Sequence, residues 1–190
     1  MNTNAKSQHA AEQYKPQFLK LIFNSASATM TMVLLALGIL VPSANAATTI
    51  STADQDFMLA AAQGGMTEVK LGELASTNGV RDDVKSFGQM MVKDHTAIND
   101  DLKALAAQKG VTLPDSLDAT HQAMVDKFTV LTGSKFDDAY IRGMIKAHQK
   151  DATAFKTEFV ATQDADIKNF LDKSIPVVEA HLQHVIALRK

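Results

Sequence analysis

Glu68, His95, His148 and His181 each fall inside the apolar stripe of a different long helical segment. Glu68 follows Gly64 by four residues and precedes Leu71 by three. His95 sits between Met91 and Ile98, His148 between Met144 and Ala152, and His181 between Val177 and Val185. On a 3.6-residue period that spacing puts one ionisable side chain per helix on the inward face. A buried carboxylate or imidazole needs a partner, and a carboxylate among histidines supplies one. The same donor types suit iron, zinc, copper or manganese, so the four are candidate ligands of a single transition-metal ion in mid-bundle. Met91 and Met144 each lie four residues before their histidine and would add weak thioether donors that favour copper. The bland counterpart is a metal-free His–Glu hydrogen-bond network that fixes helix register, with core methionines as gap-fillers.

Other polar residues nearby suggest smaller roles. Glu179 and His184 flank His181 and could support it or act as partly exposed ligands. Asp94, adjacent to His95, is expected to point sideways along the helix surface, and Asp151, three after His148, to orient that ring. His121 shares a face with Leu117, Met124 and Phe128, which reads as structural. Gly64, Gly65 and Gly88 read as close-packing points, because no strand–turn–helix surrounds them to make a phosphate loop. No Ser or Cys nucleophile stands in a hydrolase context, and no substrate pocket is legible.

The elements that must position these residues are all helical. A helix opening on a capping box of Thr52 with Gln55 carries Phe57, Ala61, Gly64, Leu71 and Ala75 inward and ends at Ser76–Gly79. A second, about 80–108, carries Val84, Phe87, Met91, Ile98, Leu102 and Leu105, and Gly110 and Pro114 close it. A shorter helix, about 115–131, ends at Gly133. The last two, about 135–162 and 165–189, bury Ile141, Met144, Ala152, Phe155 and Phe159, then Ile167, Phe170, Val177, Val185 and Leu188. Pro176 should kink the final helix. The fold class expected is all-α, a four-helix bundle with one long crossover containing a short extra helix.

Depth decides whether the four polar residues can meet. At about 1.5 Å per residue, His95 falls roughly 25 Å from the turn joining the first two helices and Glu68 roughly 16 Å. His148 and His181 fall roughly 23–26 Å from the turn joining the last two, at the opposite end of a bundle about 45 Å tall. All four collect in the middle third, with Glu68 and His95 the worst-matched pair.

Composition excludes several alternatives. The chain has no cysteine, so disulfides, thiolate catalysis, iron–sulfur ligation and cysteine zinc sites are ruled out. A net charge of −2 without a Lys/Arg stripe gives no reason to expect nucleic acid as a partner. The front of the chain reads as a targeting segment. Lys6, Lys15 and Lys20 against Glu12 precede the apolar run MTMVLLALGILV at 30–41, and Ala44 and Ala46 fit a small-residue cleavage site after Ala46. The run is short for a membrane span, which makes a secretory signal the expectation ahead of a retained anchor. The domains expected are therefore 1–46, signal peptide and preceding region (which includes His9), and 47–190, the helical bundle. The bundle is placed in the periplasm or otherwise outside the cytoplasm.

The segments DQDFMLAAAQGGMTEVKLGELA, VKSFGQMMVKDH, FDDAYIRGMIKAH and IPVVEAHLQH resemble the exported bacterial proteins known as domain of unknown function 4142. The resemblance runs from about Ala53 to Leu188. It implies a ferritin-like helical domain of the periplasm or outer membrane, with Glu68, His95, His148 and His181 as its polar centre. Ferritin-like di-iron proteins place a Glu three residues before a His on two helices. Here those positions hold Val92, Ile145 and Val178. A carboxylate-rich di-iron centre is thus not expected, and a single His-rich metal site, or none, fits better. Two functions follow: a metal-binding protein of metal handling or stress tolerance, or a structural bundle that engages a protein partner of the envelope.

Overall fold

Ser51 starts the first helix. Its hydroxyl accepts a hydrogen bond from the Asp54 backbone N–H at 3.0 Å, so the cap lies one residue earlier than the expected Thr52–Gln55 box. The structure, a computed structural model, describes residues 50–189. The targeting run, the cleavage point and His9 lie outside the described residues. Five helices follow in order: α1 (Thr52–Asn78), α2 (Asp82–Lys109), α3 (Ala119–Thr129), α4 (Gly133–Ala161) and α5 (Ala165–Ala187). There is no strand among the described residues. No helix among them is long and apolar enough to cross a membrane.

Two hairpins, α1–α2 and α4–α5, form a four-helix bundle, and the crossover carries α3. Polar contacts fix which end is which. The turn between α1 and α2 meets the start of α4, where Asp137 accepts from the backbone N–H groups of Val80 and Arg81 at 3.1 and 3.0 Å. Arg81 also donates to the Leu188 carbonyl at the end of α5. At the far end Lys109, closing α2, pairs with Asp164 and Asp166 around the α4–α5 turn, both at 2.6 Å. Hence α2 and α4 run parallel, and the two turns sit at opposite ends, as a long crossover requires. Gln63 of α1 fastens that crossover, donating to the Ser116 carbonyl and accepting from the Asp118 N–H, both at 3.0 Å.

Close approach of α1 and α2 depends on two glycines. A Cβ on Gly72 would lie 2.8 Å from the Gly88 carbonyl oxygen, and one on Gly88 would lie 2.7 Å from that of Gly72. Gly64, in contrast, has open space around it and is not a packing point. The stripe of α1 begins one residue later than expected, on Met58, Ala62 and Gly65, with Phe57 and Ala61 only partly buried. This helix packs on α2, α3 and α4 together, so two adjacent stripes are both covered to some degree. Phe159 lies at the surface, 36% exposed, and Val178 is the fully packed member of α5 where Val177 was expected. The helix α5 continues through Pro176.

The core has two apolar parts. Towards the α4–α5 turn lie Met58, Leu102, Phe155, Ile167, Leu171 and Val178. Towards the α1–α2 turn lie Leu71, Phe87, Met91, Phe136, Tyr140 and Met144. Along each of the four long helices, the residue between the two parts is Glu68, His95, His148 or His181.

Candidate metal centre

That middle layer is nearly sealed from solvent: His95, His148 and His181 are at most 3% exposed and Glu68 is 5% exposed. The structure brings all four together. His95 Nδ1 lies 3.0 Å from Glu68 Oε2, although depth along the helices made them the worst-matched pair. The reason is the turn. Residues 79–81 cross the end of the bundle instead of adding to the depth of α2, which begins only at Asp82. Glu68 is then ten residues from its helix end and His95 thirteen from its own, a difference of about 4.5 Å that a Glu side chain bridges.

Each imidazole has one nitrogen engaged by an oxygen. His95 Nδ1 faces Glu68, His148 Nδ1 lies 2.9 Å from the Met144 carbonyl, and His181 Nε2 lies 3.0 Å from Asp94 Oδ2. Carbonyl and carboxylate oxygens only accept, so these three nitrogens carry hydrogens, a tautomer assignment made from the partners. Three nitrogens remain: His95 Nε2, His148 Nε2 and His181 Nδ1. Of these, His95 Nε2 and His181 Nδ1 are 3.3 Å apart, and His148 Nε2 is buried with no partner at all. The rings crowd one another, with centroids 5.2–5.5 Å apart in all three pairs. One potential ligand atom from each histidine lies within 4.8 Å of the other two.

Charge is distributed unevenly over this layer. Burial pushes the Glu68 carboxyl up, but His95 outweighs it and holds Glu68 below the usual carboxylate range. Burial likewise pushes His95 down, and Glu68 more than reverses that, so His95 favours the imidazolium. At His148 burial outweighs the pull of Glu68 and lowers the ring to about 4. His181 is also lowered by burial, with Asp94 offsetting part of the effect. Asp151 is pushed up to about 7 by burial and by the neighbouring Glu68. With His95 favouring the imidazolium, its Nε2–H would donate to His181 Nδ1 across their 3.3 Å contact, which keeps two lone pairs from facing each other.

The remaining candidates are placed as follows. Met91 and Met144 are both buried in the apolar part that includes Phe87 and Tyr140, and Met144 also contributes the carbonyl that holds His148. Asp94 does not point along the surface as expected. It reaches across the α2–α5 seam to His181, a role missed because its own helix aims it away from the core stripe. Asp151 is engaged with Glu68, and His148 is oriented by backbone instead. Glu179 pairs with Lys156 at the surface, His184 packs edge-on against Phe87, and His121 bonds the Asp118 that caps α3.

Comparison with known proteins places this geometry in a setting. Residues 40–188 match the family described as domain of unknown function DUF4142. No curated protein matches the chain by sequence. Among solved structures, a DUF305 fragment from Deinococcus radiodurans superposes with a TM-score of 0.65 at 12% identity, covering 73% of this chain and 96% of its own. CopM in its Cu(I)-bound form superposes with a TM-score of 0.60 at 17% identity, covering 71% of this chain and 94% of its own. At such identities the likeness is one of fold.

Proposed function

We propose that this chain, which belongs to the DUF4142 family, is an exported helical bundle that binds one transition-metal ion through His95, His148 and His181. The observation that carries this reading is the orphaned His148 Nε2 beside two other imidazole nitrogens. A buried acceptor without a partner costs about 1–3 kcal/mol, and an ion bound there would satisfy it. The spacing fits. Two nitrogens bound at about 2.0–2.1 Å to a tetrahedral ion stand about 3.3–3.4 Å apart, and His95 Nε2 and His181 Nδ1 are separated by 3.3 Å.

Within this reading Glu68, Asp94 and the Met144 carbonyl orient the three rings through their other nitrogens, the usual arrangement around metal-bound histidines. Glu68 is assigned to that task because its Oε2 is engaged by His95. An ion entering would displace the proton from His95 Nε2, and the three neutral nitrogen donors that result suit copper, zinc or iron. Copper is the first ion to test, because the similarly folded CopM is described as Cu(I)-bound and because Met91 and Met144 sit on the same side of the layer. The bound ion would serve metal handling or stress tolerance outside the cytoplasm, where the leader-like run at 30–41 would direct the chain.

Metal analysis of protein purified without chelators, followed by melting curves with added copper, zinc or iron, tests the proposal. The expected result is near one ion per chain and a stabilisation of about 2.7 kcal/mol at a hundredfold excess over Kd. The gain should vanish in His148→Ala. Protein that carries no ion, and whose melting temperature ignores all three metals, would leave the layer as a metal-free register network.

A further inference from the structure

Two hollows adjoin one another on the Glu68 side of the histidine layer. The inner one, about 20 Å³, is walled in part by Glu68, His95 and Asp151. The outer one is an open groove of about 430 Å³ between α1, α2 and the start of the crossover, with Met66, Asp100 and Asp115 among its walls. Asn99 and Leu102 line both, so these two residues form the partition between the groove and the inner hollow.

The two halves of that partition differ in kind. Leu102 is packed in the core, 1% exposed. Asn99 is only half-buried, and its side-chain oxygen is buried with no hydrogen-bond partner. No bond to that oxygen has to break for the side chain to swing. Opposite it stands Gly65, where any Cβ would collide with the Asn99 amide. The glycine therefore provides the space in which the amide rests.

We propose that this series of groove, Asn99 and inner hollow is the portal by which an ion reaches His95, with Asn99 as its gate. The inference rests on the reading of the histidine layer as a metal centre. The groove presents the carboxylates of Asp100 and Asp115 and the Met66 thioether against the single cation of Lys103, a balance that favours cations. Past the partition, Glu68 offers a second oxygen, Oε1, which no short hydrogen bond satisfies and which lies 3.5 Å from His148 Nδ1. A space of about 20 Å³ holds roughly one water molecule. An ion must therefore leave most of its hydration shell at the gate, and Asn99 Oδ1 is the donor atom available to replace part of it there.

Exchange kinetics test this with Zn²⁺, which undergoes no redox change, using stopped-flow uptake by the metal-free chain and extraction from the loaded chain by a chelator. Asn99→Leu closes the partition with a branched apolar side chain, and both uptake and release should slow about tenfold, leaving Kd within about twofold. Asn99→Ala should speed both by a similar factor. Melting curves of the metal-free variants confirm that each is folded. Wild-type exchange rates in both variants, or a change in Kd with only one rate affected, would overturn the portal while the metal centre stands. A wild-type chain that takes up none of zinc, copper or iron would overturn the metal reading, and the portal with it.

Discussion

Asp94 is the residue on which the histidine centre meets solvent. Its side chain is 30% exposed, yet it holds the Nε2 of a ring that is almost fully buried. Removing it leaves His181 free to rotate or change tautomer without opening a cavity in the core. Asp94→Ala should therefore weaken metal affinity about 10–100-fold, while the metal-free melting temperature barely moves. Titration calorimetry beside a melting curve checks both halves. The four buried residues themselves were legible from sequence, because an ionisable side chain that interrupts an apolar stripe at helical spacing is too costly to bury without a partner. Asp94 and Asp151 were not read correctly, for a common reason. Each lies about 100° round its own helix from the stripe or on its edge, and its partner arrives from a neighbouring helix whose rotation no single-helix pattern encodes. Asn99 escaped notice on the same ground, since its significance comes from Gly65 on another helix.

At the scale of the helices, α1 and α2 cross closely through Gly72 and Gly88, whereas Gly64 faces open space. Two alanine substitutions should then act in opposite directions. Gly72→Ala forces a methyl against the backbone of α2 and should cost about 1–3 kcal/mol. Gly64→Ala should stabilise by about 0.5–1 kcal/mol, since alanine loses less backbone entropy in a helix. Urea denaturation of the pair gives both signs. A second joint ties the first turn of α1 to the end of α4, where the Glu158 carboxyl hydrogen-bonds Asp54. Burial and that contact raise Glu158 to about 7. Burial also pushes Asp54 up, but bonds from Thr162, Glu158 and Ser51 outweigh it and hold Asp54 below the usual carboxylate range. Glu158 thus contributes stability that is complete below its ordinary pKa and is lost as pH rises through about 7. Asp54 contributes above its ordinary pKa and loses that contribution on acidification. Melting temperature should fall between pH 5.5 and 8 by more in the wild type than in Glu158→Gln, which keeps a donor and does not titrate. Helix order and the crossover were legible because caps, glycines and 3.6-residue stripes are local signals. The rotation of α1 was not, since a helix covered on three sides has no single buried stripe to read.

For the whole molecule, the layer of four ionisable residues divides the apolar interior into two parts. Replacing a buried ionic network as a set by apolar residues is commonly neutral or stabilising, by up to about 1–4 kcal/mol. The quadruple variant Glu68→Leu, His95→Leu, His148→Leu, His181→Leu should keep the helical circular dichroism of the wild type, at equal or greater stability without metal. It should also lose any melting response to copper or zinc. Loss of the fold in that variant would show instead that the layer specifies register.

The four side chains of this layer come from four helices, and the chain segments that bring them together are separated by the whole length of the crossover. Glu68 meets His95 within the first hairpin, but the three histidines come together only once both hairpins have docked. A chain carried unfolded through a membrane would accordingly hold no centre in transit. Its choice of ion would be made by the metal supply of the compartment in which it folds, and not by that of the compartment in which it was made.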